Sequence, residues 1–210
     1  MRGGFTAIEL ILSLSLASVV TASTVLATQR ALGAYRSAQS TTHLDRDLRT
    51  AMDRIRWELM ASGESVLFPT DFEDEYGTDD LTFQQVVSIQ DGQATWGPTQ
   101  RLVFEDEGGE PFDGVDNDGD GLVDEGVLAH YRNVGQANEL RVVLVTGVTR
   151  FAEGELENDL DDDGNGRTDE AGFNLQRSGD VISVLLCLGR ARSGGEPVTR
   201  TMTASVRLRN

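Results

Sequence analysis

The sequence predicts an α+β fold: a long N-terminal α-helix, membrane-spanning in its first half, packed against a mainly antiparallel β-sheet head. Three observations predict it. Residues 5–29 carry one charge and neither Gly nor Pro. Apolar residues then recur at three- and four-residue spacing as far as Leu59. Beyond Gly63 the pattern changes to short β-rich runs separated by turns, with no βαβ alternation. The implied organisation is a transmembrane half-helix at 5–29, an amphipathic half-helix at 30–62 and a β-rich head at 63–210, with acidic loops at 113–125 and 158–170.

The charge distribution narrows the partners. The formal net charge of -17 comes almost entirely from the middle of the chain, between Glu64 and Glu170. So acidic a surface repels phosphate backbones and anionic lipid, which argues against a nucleic-acid-binding head, and it attracts cations. Cys187 is the only cysteine, so no intrachain disulfide can form. Its place in the apolar run Val181–Leu188 predicts a buried structural thiol rather than a nucleophile.

The first half-helix is long enough to cross a bilayer: twenty-five helical residues reach roughly 37 Å at about 1.5 Å each, against a hydrocarbon core of about 30 Å. Its many Ser and Thr residues are tolerated there by bonding back to helix carbonyls. Arg30 and Arg36 mark the exit into water. The competing reading is a secretory signal cut near Ala22, but the apolar run exceeds a signal core of about 7–15 residues and begins with an acid. That acid, Glu9, costs roughly 2.5–3.5 kcal/mol in a span and calls for a cationic partner. Arg2 precedes two glycines, so the partner is a terminal amine or another chain.

Arg2-Gly3-Gly4-Phe5-Thr6-Ala7-Ile8-Glu9-Leu10 resembles the processing motif of type IV pilins and type II secretion pseudopilins. The resemblance implies a leader at 1–4, cleavage by a prepilin peptidase between Gly4 and Phe5, and methylation of the new Phe5 amine. It also implies that Glu9 neutralises the Phe5 ammonium of a neighbouring subunit and sets the stagger between helices. The alternative is a bond from Glu9 to its own chain's amine. The resemblance further implies a bacterial inner-membrane protein, single-pass with a periplasmic head, that passes into a periplasmic or extracellular filament.

In the second half-helix Leu44, Leu48, Ala51, Met52, Ile55 and Leu59 form one stripe, while Arg46, Arg49, Asp53 and Arg56 fall largely elsewhere. Gly63 supplies a stop. The stripe is short for a coiled coil, so the head is what covers it. Many major pilins carry a helix-breaking Pro in the membrane half; this chain has none there.

In the head, strands are expected at Leu81–Ile89, Ala94–Trp96, Arg101–Phe104, Val127–Arg132, Leu140–Val145, Val181–Leu188 and Thr199–Leu208, with an Asp91-Gly92 turn after the first. Ala51–Leu59, Thr95–Pro98, Val148–Phe151 and Ser205–Asn210 are similar to segments of PilW/PulJ-type minor pilins and pseudopilins.

The two acidic loops are one motif written twice. Asp116, Asp118, Asp120, Gly121, Asp124 and Glu125 match Asp161, Asp163, Asn165, Gly166, Asp169 and Glu170, forty-five residues on. Calcium takes six to eight oxygens at about 2.3–2.6 Å, and alternating carboxylates in a tight loop can supply them, as in the thrombospondin- and dockerin-like repeats these loops resemble. Magnesium, which requires a small octahedral site, fits less well. The candidate ligands in the first loop are Asp113, Asp116, Asp118, Asp120, the Leu122 carbonyl, and Asp124 or Glu125. In the second they are Asp161, Asp163, Asn165, Arg167 in the place of Leu122, and Asp169 or Glu170. Val123 is expected to dock on the core. A twelfth-position acid is absent from both loops, where Val127 and Gly172 stand. The alternative is a solvated acidic loop without metal.

No catalytic constellation assembles. His43 falls on the helix and His130 in a strand, and no nucleophile elbow, His-Glu-x-x-His or phosphate loop is present. The expected function is a structural pilin or pseudopilin subunit, not an enzyme, whose partners are other such subunits, the prepilin peptidase and the inner membrane. The alternative is a membrane-anchored, calcium-dependent surface-binding or adhesion module.

Overall fold

A computed structural model describes residues 6–72, 77–192 and 195–208. The first element, α1, spans Ala7–Met60 without interruption. The chain divides into two compact units, Met1–Thr42 and His43–Asn210, with α1 contributing to both.

The described part of the first unit is helix. Thr6 opens it: the Thr6 hydroxyl accepts from the Glu9 amide at 3.3 Å, while the Glu9 carboxylate accepts from the Thr6 amide at 2.9 Å. This reciprocal pair is a capping box, which satisfies two amides that the first helical turn leaves without carbonyls. Ser13, Ser15, Thr21, Ser23, Thr24 and Thr28 donate their hydroxyls to carbonyls one turn back at 2.7–2.8 Å, so no hydroxyl among them needs water. Ile8, Leu12, Leu16 and Val19 lie exposed along this segment. Among the described residues α1 is the one helix long and apolar enough to cross a membrane.

The second unit is a helix packed on a seven-stranded antiparallel sheet. The strands are β1 (Asp80–Gln90), β2 (Gln93–Asp106), β3 (Gly126–Arg132), β4 (Leu140–Val148), β5 (Phe173–Ser178), β6 (Val181–Arg192) and β7 (Gly195–Arg207). Their order is β1-β2-β3-β4-β6-β5, and β7 pairs with β6. The predicted stripe of Leu44, Leu48, Ala51, Met52, Ile55 and Leu59 is buried to the last residue, in one cluster with Phe72, Phe83, Leu102, Leu128, Phe173, Leu175, Ile182, Val184 and Leu186. Alternating apolar positions on the strands thus cover the apolar face of the helix, which is where most of a helix's stability comes from.

Two predicted strands are one. Ala94–Trp96 and Arg101–Phe104 both belong to β2, which runs through Gly97-Pro98. Pro98 is tolerated because β3 pairs only from Gln100 onward and β1 shifts register between Gln84 and Val86, so no regular ladder bond is required of it on either side. A further strand, β5, lies outside the expected set. Gly63 does not cap α1 in a left-handed conformation: its φ of -111° is extended. A Cβ there would lie 2.1 Å from Cη2 of Trp96, so any side chain would force the indole to shift.

One charged residue sits in the apolar stripe. Glu58 is buried and takes Arg54 at 2.9 Å, Arg132 at 3.0 Å and the Gln85 side-chain amide at 2.8 Å. His130, wholly buried on β3, bonds Gln100 through Nε2 at 2.7 Å and places Nδ1 3.8 Å from Glu58. His43 lies exposed on α1. Cys187 is buried in β6, and burial raises its thiol pKa above the ordinary value.

Candidate metal centre

The acidic loops join β2 to β3 and β4 to β5, and each is closed at its neck by the same backbone bond. The Glu107 amide donates to the Glu125 carbonyl at 3.3 Å, and the Ala152 amide to the Glu170 carbonyl at 2.7 Å. The repeated sequence produces a repeated backbone. Gly114 and Asp159 have φ of 78° and 58°, Gly119 and Gly164 79° and 77°, Gly121 and Gly166 93° and 92°, and Asp124 and Asp169 53° and 51°. Alternating glycine and Asx residues permit this path, because glycine enters the left-handed region freely and Asp or Asn does so at modest cost.

Most of the predicted ligands first serve as internal acceptors. Asp116 takes the amides of Gly119 at 2.6 Å and Gly121 at 3.0 Å, and Asp161 takes those of Gly164 at 2.7 Å and Gly166 at 2.8 Å. Asp118 takes the amide of Asp120, Asp163 that of Asn165, Asp120 that of Leu122 and Asn165 that of Arg167, all at 2.8–2.9 Å. Asp113 takes the amide of Val115 at 3.0 Å.

Asp124 and Glu125, left as alternatives by the sequence, divide the work. Asp124 takes the amides of Asp113 at 2.8 Å and Gly114 at 2.9 Å, and Asp169 takes those of Asn158 at 3.1 Å and Asp159 at 3.0 Å, so both fasten the start of their own loop. Glu125 and Glu170 turn inward and are buried. Carboxylate oxygens of Asp118, Asp120 and Glu125 lie within 4.8 Å of one another.

Two residues outside the predicted set join the clusters. Glu110 lies within the same distance of Asp116 and Asp118, and Glu155 of Asp163 and Glu170. Each accepts a backbone amide from within its own cluster, Glu110 that of Asp118 and Glu155 that of Asp163. They are also forty-five residues apart, and the sequence signal was there: Gly109-Glu110 and Gly154-Glu155 extend the repeat upstream of the alternating acids.

Val123 does not dock; it is 51 % exposed. Leu122 is buried instead, its methyl groups against Gly147 and Gly189. One residue separates them, and that one-residue step decides which side chain meets the sheet. Arg167 sends its guanidinium to Gln176 on β5 at 2.7 Å, leaving its carbonyl as the group that corresponds to Leu122. The twelfth positions are unusable for ligands: Val127 is buried in β3, and a side chain on Gly172 would collide with Thr149.

The electrostatics of the first loop are out of balance. Glu125 is only 1 % exposed, and neither of its carboxylate oxygens has a hydrogen-bond partner. Burial, with Asp120, Glu110 and Asp118 adding repulsion, pushes its pKa up to about 7. Glu110, also 1 % exposed, has an unpartnered Oε2. Burial raises Glu107 as well, reinforced by Asp118, Asp120 and Glu110. Buried carboxylates that lack donors are the chemistry a hard divalent cation satisfies. The donor set therefore fits an oxygen-seeking cation in the first loop.

The N-terminal residues form a separate candidate site. Gly4 and Phe5, the expected processing pair, lie outside the described residues. The hydrogen bonds described for the Glu9 carboxylate reach Thr6 of its own chain.

Comparison of the chain with protein-family models, with curated proteins and with solved structures finds no match. A long N-terminal helix packed on an antiparallel sheet is an architecture generally consistent with pilin-like proteins.

Proposed function

We propose that the chain is a pilin-like structural subunit, a minor pilin or pseudopilin of a type IV pilus or type II secretion filament, cut by a prepilin peptidase and stabilised by calcium. The observation that carries this reading is the division of labour along α1. Its first half carries exposed apolar side chains, with one carboxylate at its start, and its second half contributes one face to the core of the head. A lone anchor needs no acid at that depth, whereas an assembling helix can use one to pair with a neighbour's amine. The partners are then other subunits, the peptidase and the inner membrane. The head serves assembly rather than catalysis.

A second reading, a calcium-dependent surface-binding module on an uncut anchor, draws support from the Thr6–Glu9 capping box, which gives Glu9 a partner within its own chain. Mass spectrometry of the mature N-terminus separates the two. A chain beginning at methylated Phe5 supports the first; an intact Met1 or a cut near Ala22 rejects it.

A further inference from the structure

We infer that the two repeated loops differ in how they neutralise their acids: the first is a divalent-cation site walled by Glu110 and Glu125, and in the second the side-chain amide of Asn165 takes the cation's place. This rests on the calcium reading proposed above and goes beyond it by naming the ligands and ranking the loops.

The contrast is atom by atom. In the second loop Asn165 Nδ2 donates to Asp163 at 2.9 Å and to the two oxygens of Glu170 at 3.0 and 3.2 Å. Glu155 spends both of its oxygens, on the amides of Asp163 at 3.1 Å and Asp169 at 3.0 Å. Every buried carboxylate in that loop is thus supplied with donors by the loop itself. The first loop has Asp120 where the second has Asn165, and a carboxylate cannot donate. Glu125 Oε1 and Oε2 and Glu110 Oε2 are left buried without partners, facing Asp118, Asp120 and Asp116.

An unpartnered buried carboxylate costs several kcal/mol. Glu125, with neither oxygen partnered, and Glu110, with one left over, meet three further acids, which leaves the metal-free loop strongly self-repelling. Calcium held at these acids, which form two groups of three joined at Asp118, weakens that repulsion and offers a partner to the orphaned oxygens of Glu110 and Glu125. The second loop gains less from an ion, because binding one would first break the Asn165 bonds.

The test is calorimetric titration of the detergent-solubilised, chelator-stripped full chain with calcium alone. The expected result is one tight site per chain. Glu110→Gln raises the calcium midpoint by about tenfold or more, since a charged oxygen ligand is lost. Asn165→Asp converts the second loop to the chemistry of the first and adds a second ion. The inference is overturned if the unaltered chain binds two ions with equal midpoints, or if Glu110→Gln stays within about twofold of it while Asn165→Asp adds nothing. Either result leaves calcium binding itself standing. If the unaltered chain takes up no calcium at about 10 mM, beyond the range of extracellular modules, the calcium reading falls as well. Should Glu110→Gln fail to fold, the ion count of Asn165→Asp decides, because that substitution adds a ligand and removes none.

Discussion

Gly172 passes so close to Thr149 that a Cβ placed on it would lie 1.8 Å from the Thr149 carbonyl oxygen. The approach closes the neck of the second loop: the Gly172 amide donates to the Arg150 carbonyl at 2.9 Å, and the Cys187 amide donates to the Gly172 carbonyl at 2.6 Å. A side chain here meets backbone, which cannot move aside as a rotamer can. Gly172→Ala is expected to destabilise the fold by about 1–3 kcal/mol, the usual cost of overpacking. The shift in urea midpoint measures it, and an unchanged midpoint would show that the neck yields.

Calcium should raise the melting temperature of the full chain in detergent, and excess chelator should reverse the rise. Mass action gives about 2.7 kcal/mol when calcium reaches about 100 times its dissociation constant. Scanning calorimetry across a calcium series reads the effect. A flat series removes the stabilising role of the ion and leaves the pilin reading untouched.

Glu58 ties α1 to the sheet through Arg132 and Gln85, on the apolar side of the helix. Glu58→Ala removes the carboxylate that the two guanidinium groups share, while the Gln85 amide keeps its bond to the residue-58 carbonyl at 2.9 Å. Because Arg54 and Arg132 are partly solvated, the expected loss is about 1–3 kcal/mol rather than that of a fully buried pair. Chemical denaturation checks it, and Glu58→Gln should lose less.

His130 predicts a pH dependence. Burial lowers its pKa from the ordinary 6.5, opposed by Glu58 and reinforced by Arg132 and Arg54, while Nε2 faces Gln100. The folded ring is therefore neutral at neutral pH and harder to protonate than in the unfolded chain, whose ordinary value is 6.5. The sign follows: the contribution is complete above pH 6.5 and is lost progressively as pH falls below it. Comparing denaturation of the unaltered chain with His130→Gln at pH 7.5 and about pH 5.5 isolates this term, and equal pH slopes would remove it.

Cys187 should resist alkylation in the folded chain. Its thiol is fully buried and its pKa is raised by that burial, so little thiolate is available at neutral pH. Mass spectrometry after iodoacetamide is expected to show labelling only once denaturant unfolds the head.

Legibility varied with how local the determinant was. The buried face of α1 could be read from spacing alone, since three- and four-residue periodicity translates directly into one helical side. Glu58 could not, because its acceptability in that face depends on Arg132, seventy-four residues away. Strand β5 was hidden by its length: Phe173–Ser178 offers three apolar-or-buried positions between an acidic loop and a Gly179 turn, and its identity comes from pairing with β6. Pro98 split β2 on paper because a proline inside a strand reads as a break; only the register of both neighbours shows why it is harmless. In the loops, the acids between Asp116 and Asp120 announced themselves by alternation. Glu110 stood eight residues from Asp118 and was brought back by a turn at Gly109, a return that spacing rules do not anticipate.

Arg150 stands at the entrance of the second loop, yet its guanidinium carbon lies 4.7 Å from the ring centre of Phe112 in the first and 5.5 Å from that of Phe104 on β2. A shared cation between aromatic rings makes neighbours of two segments that the chain separates. Loosening the first loop would deprive the second of a contact, so if the first loop is a calcium site, amide protection in both is expected to fade together on adding chelator.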